Sequence, residues 1–147
     1  MVAFADTGFI ASLYLEESTS KAADAALGAE RHSIPFTPLI ELELRNSFNR
    51  AVQRRRITIE EREALWRDVE SDIAAGFLVP TPIAPGELHE LARQLSDRHT
   101  PVLGTRSLDL LHVAAALILE TEIFFSFDEH QRKVAARERL KVKPLKF

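Results

Sequence analysis

Four acidic side chains stand at places in this sequence where carboxylates can be gathered for chemistry. Asp6 follows directly on the apolar run at residues 2–5, and Asp128 directly on the apolar run at residues 123–127. Both runs read as buried strands, and open parallel sheets bind ligands beyond the carboxyl ends of their strands. Asp109 falls in the first turn of a small-residue helix, sharing a face with His112, Val113 and Ala116 by helical periodicity. An acid on such an apolar stripe points toward protein and needs a cation, a donor or a metal. A further helix, opened by Pro38, carries Glu41 and Glu43. Setting Ile40, Leu44, Phe48 and Ala51 on its buried face leaves these glutamates on opposite flanks, and periodicity does not choose between them. Clustered carboxylates bind hard divalent cations, and such ions promote phosphodiester hydrolysis by polarising the ester and activating water.

Each acid also has a purely structural reading. Asp6 and Asp128 are both placed to cap a following helix, and Asp109 suits the positive end of its own helix dipole. Caps, however, have no reason to collect at one end of a sheet.

The elements that position these residues alternate strand and helix, which predicts parallel strands joined by helical crossovers. Strands are expected at residues 2–5, 34–36, 77–79, 123–127 and 140–142. A short amphipathic stretch covers 9–15, and Ser18 is expected to cap a helix running toward Ala29. Pro38 begins a helix to about Arg54, where its missing donor does no harm. Thr58 and Glu61 have capping-box spacing and open a helix to about Gly76. Leu88, Leu91, Ala92 and Leu95 form one face of the next helix, a loop spans 100–107, and helices follow at 108–120 and 129–139. No repeat, low-complexity tract or linker divides the chain, so residues 1–147 are expected to form a single domain.

The chain has 147 residues, of which 46% are hydrophobic and 28% charged, the composition of a folded globule and not of a disordered chain. It has no cysteine, which removes disulfides, zinc–thiolate sites and thiol nucleophiles and suits a reducing compartment. The longest apolar run, 113–119, is far short of the ~18 residues of a membrane span. The N-terminus lacks the basic lead and apolar stretch of a secretory signal, so a cytoplasmic protein without membrane contact is expected. Nineteen Lys and Arg stand against 22 Asp and Glu, a net charge of −3, so nucleic-acid binding must rest on local clusters. The densest basic segment is Arg45, Arg50, Arg54, Arg55 and Arg56, either a set of phosphate contacts or a solvated helix face. His112 reads as a packing residue, and Trp66 and Tyr14 as isolated aromatics of the core or an interface.

Four segments together resemble the PIN-domain family, specifically VapC-like toxins of type II toxin-antitoxin systems. They are Phe4-Ala5-Asp6-Thr7, Glu43-Leu44-Arg45-Asn46, Arg106-Ser107-Leu108-Asp109-Leu110-Leu111-His112-Val113-Ala114-Ala115-Ala116 and Phe127-Asp128-Glu129-His130-Gln131. The resemblance implies a PIN-like three-layer α/β fold, with a central parallel sheet of about five short strands flanked by helices. It places the family's catalytic and metal-binding acids on Asp6, Glu43, Asp109 and Asp128, choosing Glu43 because Leu-Arg-Asn follows it. It further implies an endoribonuclease dependent on Mg²⁺ or Mn²⁺, an RNA substrate, a homodimer and a cognate VapB-like antitoxin. Thr7, beside the first acid, and Ser126, where a threonine often precedes Phe-Asp, are expected to support the carboxylates, and Arg106 to contact substrate phosphate or pair with Asp109.

Two other readings compete with this one. A non-cleaving PIN-like RNA-binding or protein-interaction module would be expected to have lost one of the acids. A phosphoacceptor receiver domain shares the α/β pattern and a late Lys143-Pro144, but requires an acid after the third strand, and residues 77–80 end without one.

Overall fold

A computed structural model describes residues 2–28 and 32–147. In chain order its elements are β1 (Ala3–Ala5), α1 (Thr7–Tyr14), α2 (Ser20–Leu27), β2 (Ile34–Phe36), α3 (Pro38–Gln53), α4 (Ile59–Ala74), β3 (Leu78–Pro80), α5 (Pro85–Leu103), α6 (Ser107–Ile118), β4 (Ile123–Phe125), α7 (Glu129–Arg137) and β5 (Lys141–Lys143). The strands pair in parallel as β1-β4-β5 and as β2-β3, and β1 packs alongside β2 without a ladder between them. The five short strands expected are thus present, but as a three-stranded and a two-stranded parallel sheet, with β1 against β2 at a seam that carries no ladder.

The strands are short, and their apolar residues fill the interior on both faces, as in other parallel sheets. Phe4, Phe124 and Phe125 are fully buried with Phe9 and Phe48, and rings stack in the pairs Phe4–Phe124 and Phe9–Phe125. Each such side chain contributes about 2–3 kcal/mol through the apolar surface it buries. The helices pack in two groups, α1 to α4 and α5 to α7. Pro38 occupies the first turn of α3 under a Thr37 cap, and Thr58 with Glu61 forms a complete capping box on α4.

Three boundaries differ from the expectations for identifiable reasons. The loop expected at 100–107 is mostly helix, because α5 runs through Pro101 to Leu103 and stops only where Gly104 adopts a left-handed φ of 64°. So late in a helix, proline removes one hydrogen bond without ending the last turn, and glycine supplies the stop. Residues 126 and 127 leave β4 because the Ser126 side chain turns back to accept from the Asp128 backbone N–H. Ser18 does not cap α2; Thr19 is its N-cap residue, and the turn before it is held by Ser20 Oγ, which donates to Leu15 O and accepts from Glu17 N. The expected end of that helix at Ala29 lies outside the described residues.

Candidate active site

Asp6 is carried to the end of β1 and held beside β4 by its backbone N–H, which donates to Phe125 O at 3.1 Å. Its side chain caps α1, Oδ1 accepting from Phe9 N at 2.8 Å, so the helix-cap reading of this acid is correct as far as it goes. The other oxygen does something else. Oδ2 accepts from the fully buried Ser126 hydroxyl at 2.5 Å, and that hydroxyl in turn accepts from Asp128 N at 3.0 Å. Asp128 repeats the arrangement: Oδ1 caps α7 by accepting from Gln131 N at 2.9 Å, and Oδ2 accepts from Arg106 Nη2 at 3.3 Å.

Arg106 ties this pair to the third acid. Its Nε donates to Asp109 Oδ2 at 3.1 Å, while Gln131 Nε2 donates to Asp109 Oδ1 at 3.0 Å. Asp109 is 4% exposed, as the apolar stripe of α6 requires. One turn further along the same face, His112 Nε2 meets Glu43 Oε1 at 2.5 Å, and the Thr7 hydroxyl donates to the same oxygen at 2.9 Å. Because a carboxylate only accepts, the histidine carries its proton at Nε2. Glu43 therefore faces Thr7 and α6. Glu41 lies on the exposed side of α3, 3.9 Å from Arg45.

The charges respond to this setting. Burial pushes the Asp6 carboxyl up to about 6; the hydrogen bonds from Ser126 and Phe9 N and the nearness of His112 offset only part of that, and the Asp128 charge adds to it. Burial also pushes Glu43 up, but the hydrogen bond and charge of His112, with the Thr7 hydroxyl, outweigh it and hold Glu43 below the ordinary glutamate value.

The chemistry of the donors fits a hard divalent cation. Carboxylate oxygens predominate, Asp6 is buried with its negative charge undercompensated, and Gln131 Oε1 is a buried acceptor with no partner beside Asp109. Yet among the described residues no group of three or more His, Cys, Asp or Glu is placed to hold a metal ion. The carboxylate oxygens are taken up by Ser126, Arg106, Gln131, Thr7 and His112 instead.

Sequence reasoning singled out the four acids, Thr7, Arg106 and Ser126, and the structure joins Asp6, Asp109, Asp128, Arg106 and Ser126 in one hydrogen-bonded network. Glu43 and Thr7 join each other and His112. Two participants were not foreseen. His112, read as a packing residue, is buried but also holds Glu43, and Gln131 touches both Asp109 and Asp128. The signal available for Gln131 was its place in the first turn after Asp128. Of the basic segment, Arg45 lies 3.8 Å over the Trp66 ring and Arg56 donates to Glu16 O, so neither points into the acidic network.

A family model described as PIN domain matches residues 3–137. Among solved structures, the fold is similar to VapC20 of Mycobacterium tuberculosis, described as a sarcin-ricin loop cleaving toxin, at a TM-score of 0.68 and 19% identity, covering 97% of this chain and 99% of that one. It is also similar to FitAcB from Neisseria gonorrhoeae, at a TM-score of 0.66 and 15% identity, covering 97% of each chain. No curated protein sequence matches the chain.

Proposed function

This chain belongs to the PIN domain family, and from that premise we propose a divalent-cation-dependent endoribonuclease, acting as the toxin of a VapBC-like toxin-antitoxin pair. The observation that carries this reading is the linkage of Asp6, Asp109 and Asp128 at the carboxyl ends of β1 and β4, with Glu43 held nearby by Thr7 and His112. Residues 1–147 act as one unit. Asp6, Glu43, Asp109 and Asp128 would hold Mg²⁺ or Mn²⁺, and when bound such an ion polarises a phosphodiester and eases deprotonation of water.

The chain's own residues prepare that site. Ser126 fixes the relation of Asp6 to Asp128 through one buried hydroxyl. Thr7 and His112 orient Glu43 and keep it ionised at neutral pH, while Gln131 holds one oxygen of each of Asp109 and Asp128. The substrate is single-stranded or structured RNA, a choice supported by the description of the first structural relative.

The partners are a second copy of the chain and a small antitoxin, with the cytoplasm as the place of action. No described helix is long and apolar enough to cross a membrane. Leu42 and Leu108, next in sequence to Glu43 and Asp109, are exposed apolar side chains, a surface suited to protein contact beside the acids. An antitoxin arginine reaching the acids would pair with several carboxylates through its planar fork.

The test is direct. Purified protein should cleave RNA in millimolar Mg²⁺ or Mn²⁺ and stop in excess chelator, and Asp128→Asn should lower the rate by about 100-fold or more. Undiminished cleavage in chelator, or by folded Asp128→Asn, defeats the proposal. Light scattering at tens of micromolar should give a dimer.

A further inference from the structure

Given the divalent-cation reading, we propose that Arg106 is a displaceable internal counter-ion, which bridges Asp109 and Asp128 in the metal-free protein and must let go of both before a cation can bind there. The geometry separates the oxygens of these two acids into fixed and exchangeable ones. Both Oδ1 atoms are held by Gln131, Asp109 through Nε2 and Asp128 through the backbone N–H. Both Oδ2 atoms are held by the single guanidinium of Arg106. If Arg106 leaves, the carboxylates keep their places and present the two oxygens it has vacated.

Nothing else in the described structure holds the guanidinium. Its side chain is 70% exposed, and its two hydrogen bonds both go to these acids. Arg132, by contrast, donates to Ser126 O at 2.7 Å and Pro144 O at 2.8 Å, carbonyls that no cation competes for in this network. Arg106 is thus the arginine whose partners are the candidate ligands. It brings one positive charge to two carboxylates, whereas a divalent cation neutralises both, so the exchange is favoured by charge while the guanidinium returns to water. The released side chain stays tethered at the head of α6, facing the site, with its fork open to an anion. A phosphate of the RNA is the anion that the proposed reaction supplies.

The experiment measures Mn²⁺ affinity by calorimetry, in the absence of RNA, for the wild type, Arg106→Met and Arg106→Lys. Circular dichroism melts check that each is folded, as an exposed side chain leads one to expect. If Arg106 competes for the oxygens, both variants bind Mn²⁺ about three- to tenfold more tightly than the wild type, the effect of releasing two exposed ion pairs. The lysine variant is decisive, because it keeps the charge but lacks the planar fork that spans two carboxylates. Tighter binding by Arg106→Met alone would mean that only net charge matters and would overturn the proposal. Equal or weaker binding by both would overturn it too, by making Arg106 a support for the ligands. These results leave the nuclease reading intact. Absence of Mn²⁺ binding in all three proteins would instead defeat that reading, and this proposal with it.

Discussion

Asp6 and Asp128 each cap a helix with one carboxylate oxygen, and the Ser126 hydroxyl lies between the two residues: it donates to the second oxygen of Asp6 and accepts from the backbone N–H of Asp128, whose own second oxygen meets Arg106. The cap and the site are therefore one construction, and substitutions that alter the site also alter stability, with a sign set by each acid's surroundings.

Asp6 stands above its unfolded value. Its carboxyl goes from 3.8 to about 6 on folding, so the native state holds the proton more tightly than the unfolded chain. The stability this gives is fully present below pH 3.8 and is lost as pH rises through about 6, a loss on the order of 3 kcal/mol at neutral pH. Asp6→Asn removes the buried charge while keeping an acceptor for the cap. In chelator it should melt higher than the wild type at pH 7.5, with the advantage shrinking toward pH 4. A lower midpoint at both pH values would contradict a buried, undercompensated charge.

Asp109→Asn should act in the opposite direction. This acid already has Arg106 and Gln131 on its two oxygens, so losing its charge weakens interactions without relieving repulsion. The metal-free variant should be less stable by about 1 kcal/mol in urea titrations, and cleavage should fall to background. A gain in stability would mean that repulsion among the acids outweighs the pairing.

Ser126→Ala leaves a buried oxygen of Asp6 without its donor and the Asp128 N–H without its acceptor. The expected loss is about 2 kcal/mol. Because the Ser126 hydrogen bond lowers the Asp6 value, its removal should also move the limb on which stability falls with rising pH to higher pH. An unshifted limb would show that the hydroxyl is not bonded to Asp6.

Glu43 lies below its ordinary value, so its contribution is present above pH 4.5 and lost as pH falls through the depressed value. A double-mutant cycle of Glu43→Gln and His112→Gln at pH 7 should give a coupling of about 1 kcal/mol, modest because the carboxylate is partly exposed. No coupling would dissolve the pair.

Trp66 is the only tryptophan, with Phe48 against its edge and the Arg45 guanidinium over its face. Arg45→Ala should shift its emission and cost about 0.5–1 kcal/mol. An unchanged spectrum would remove the contact.

Much of this arrangement was legible because it depends on chain order. An acid directly after an apolar run falls at or just beyond a strand's end, and this placed Asp6 directly after β1 and Asp128 just past β4, after Ser126 and Phe127. Asp109 was legible from helical spacing. Glu43 was not legible from periodicity, since α3 buries a stripe that leaves Glu41 and Glu43 on opposite flanks; the resemblance chose it by the Leu-Arg-Asn that follows, and in the structure Thr7 and His112 hold it. Gln131 and the reach of Arg106 to Asp128 depend on how α6 and α7 pack, which no local spacing encodes. The Arg45–Trp66 contact likewise needs α3 against α4. The loop expected from residue 100 is helical to Leu103 because Pro101 lies in the last turn and Gly104 supplies the stop.

The seam between β1 and β2 has a consequence for how the acids keep their spacing. Asp6 and Asp128 belong to the ladder side of β1-β4-β5, whereas Glu43 rides on the helix that follows β2. Among the described residues no rung of backbone hydrogen bonds joins these halves, so the span from Glu43 to the other acids is set by side-chain filling and by the contacts of Thr7 and His112. Interior residues far from any carboxylate thereby become the gauge of the site. Trimming Ile40 or Leu44, both fully buried on α3, should alter the distance across which a shared ion is held while leaving every ligand in place.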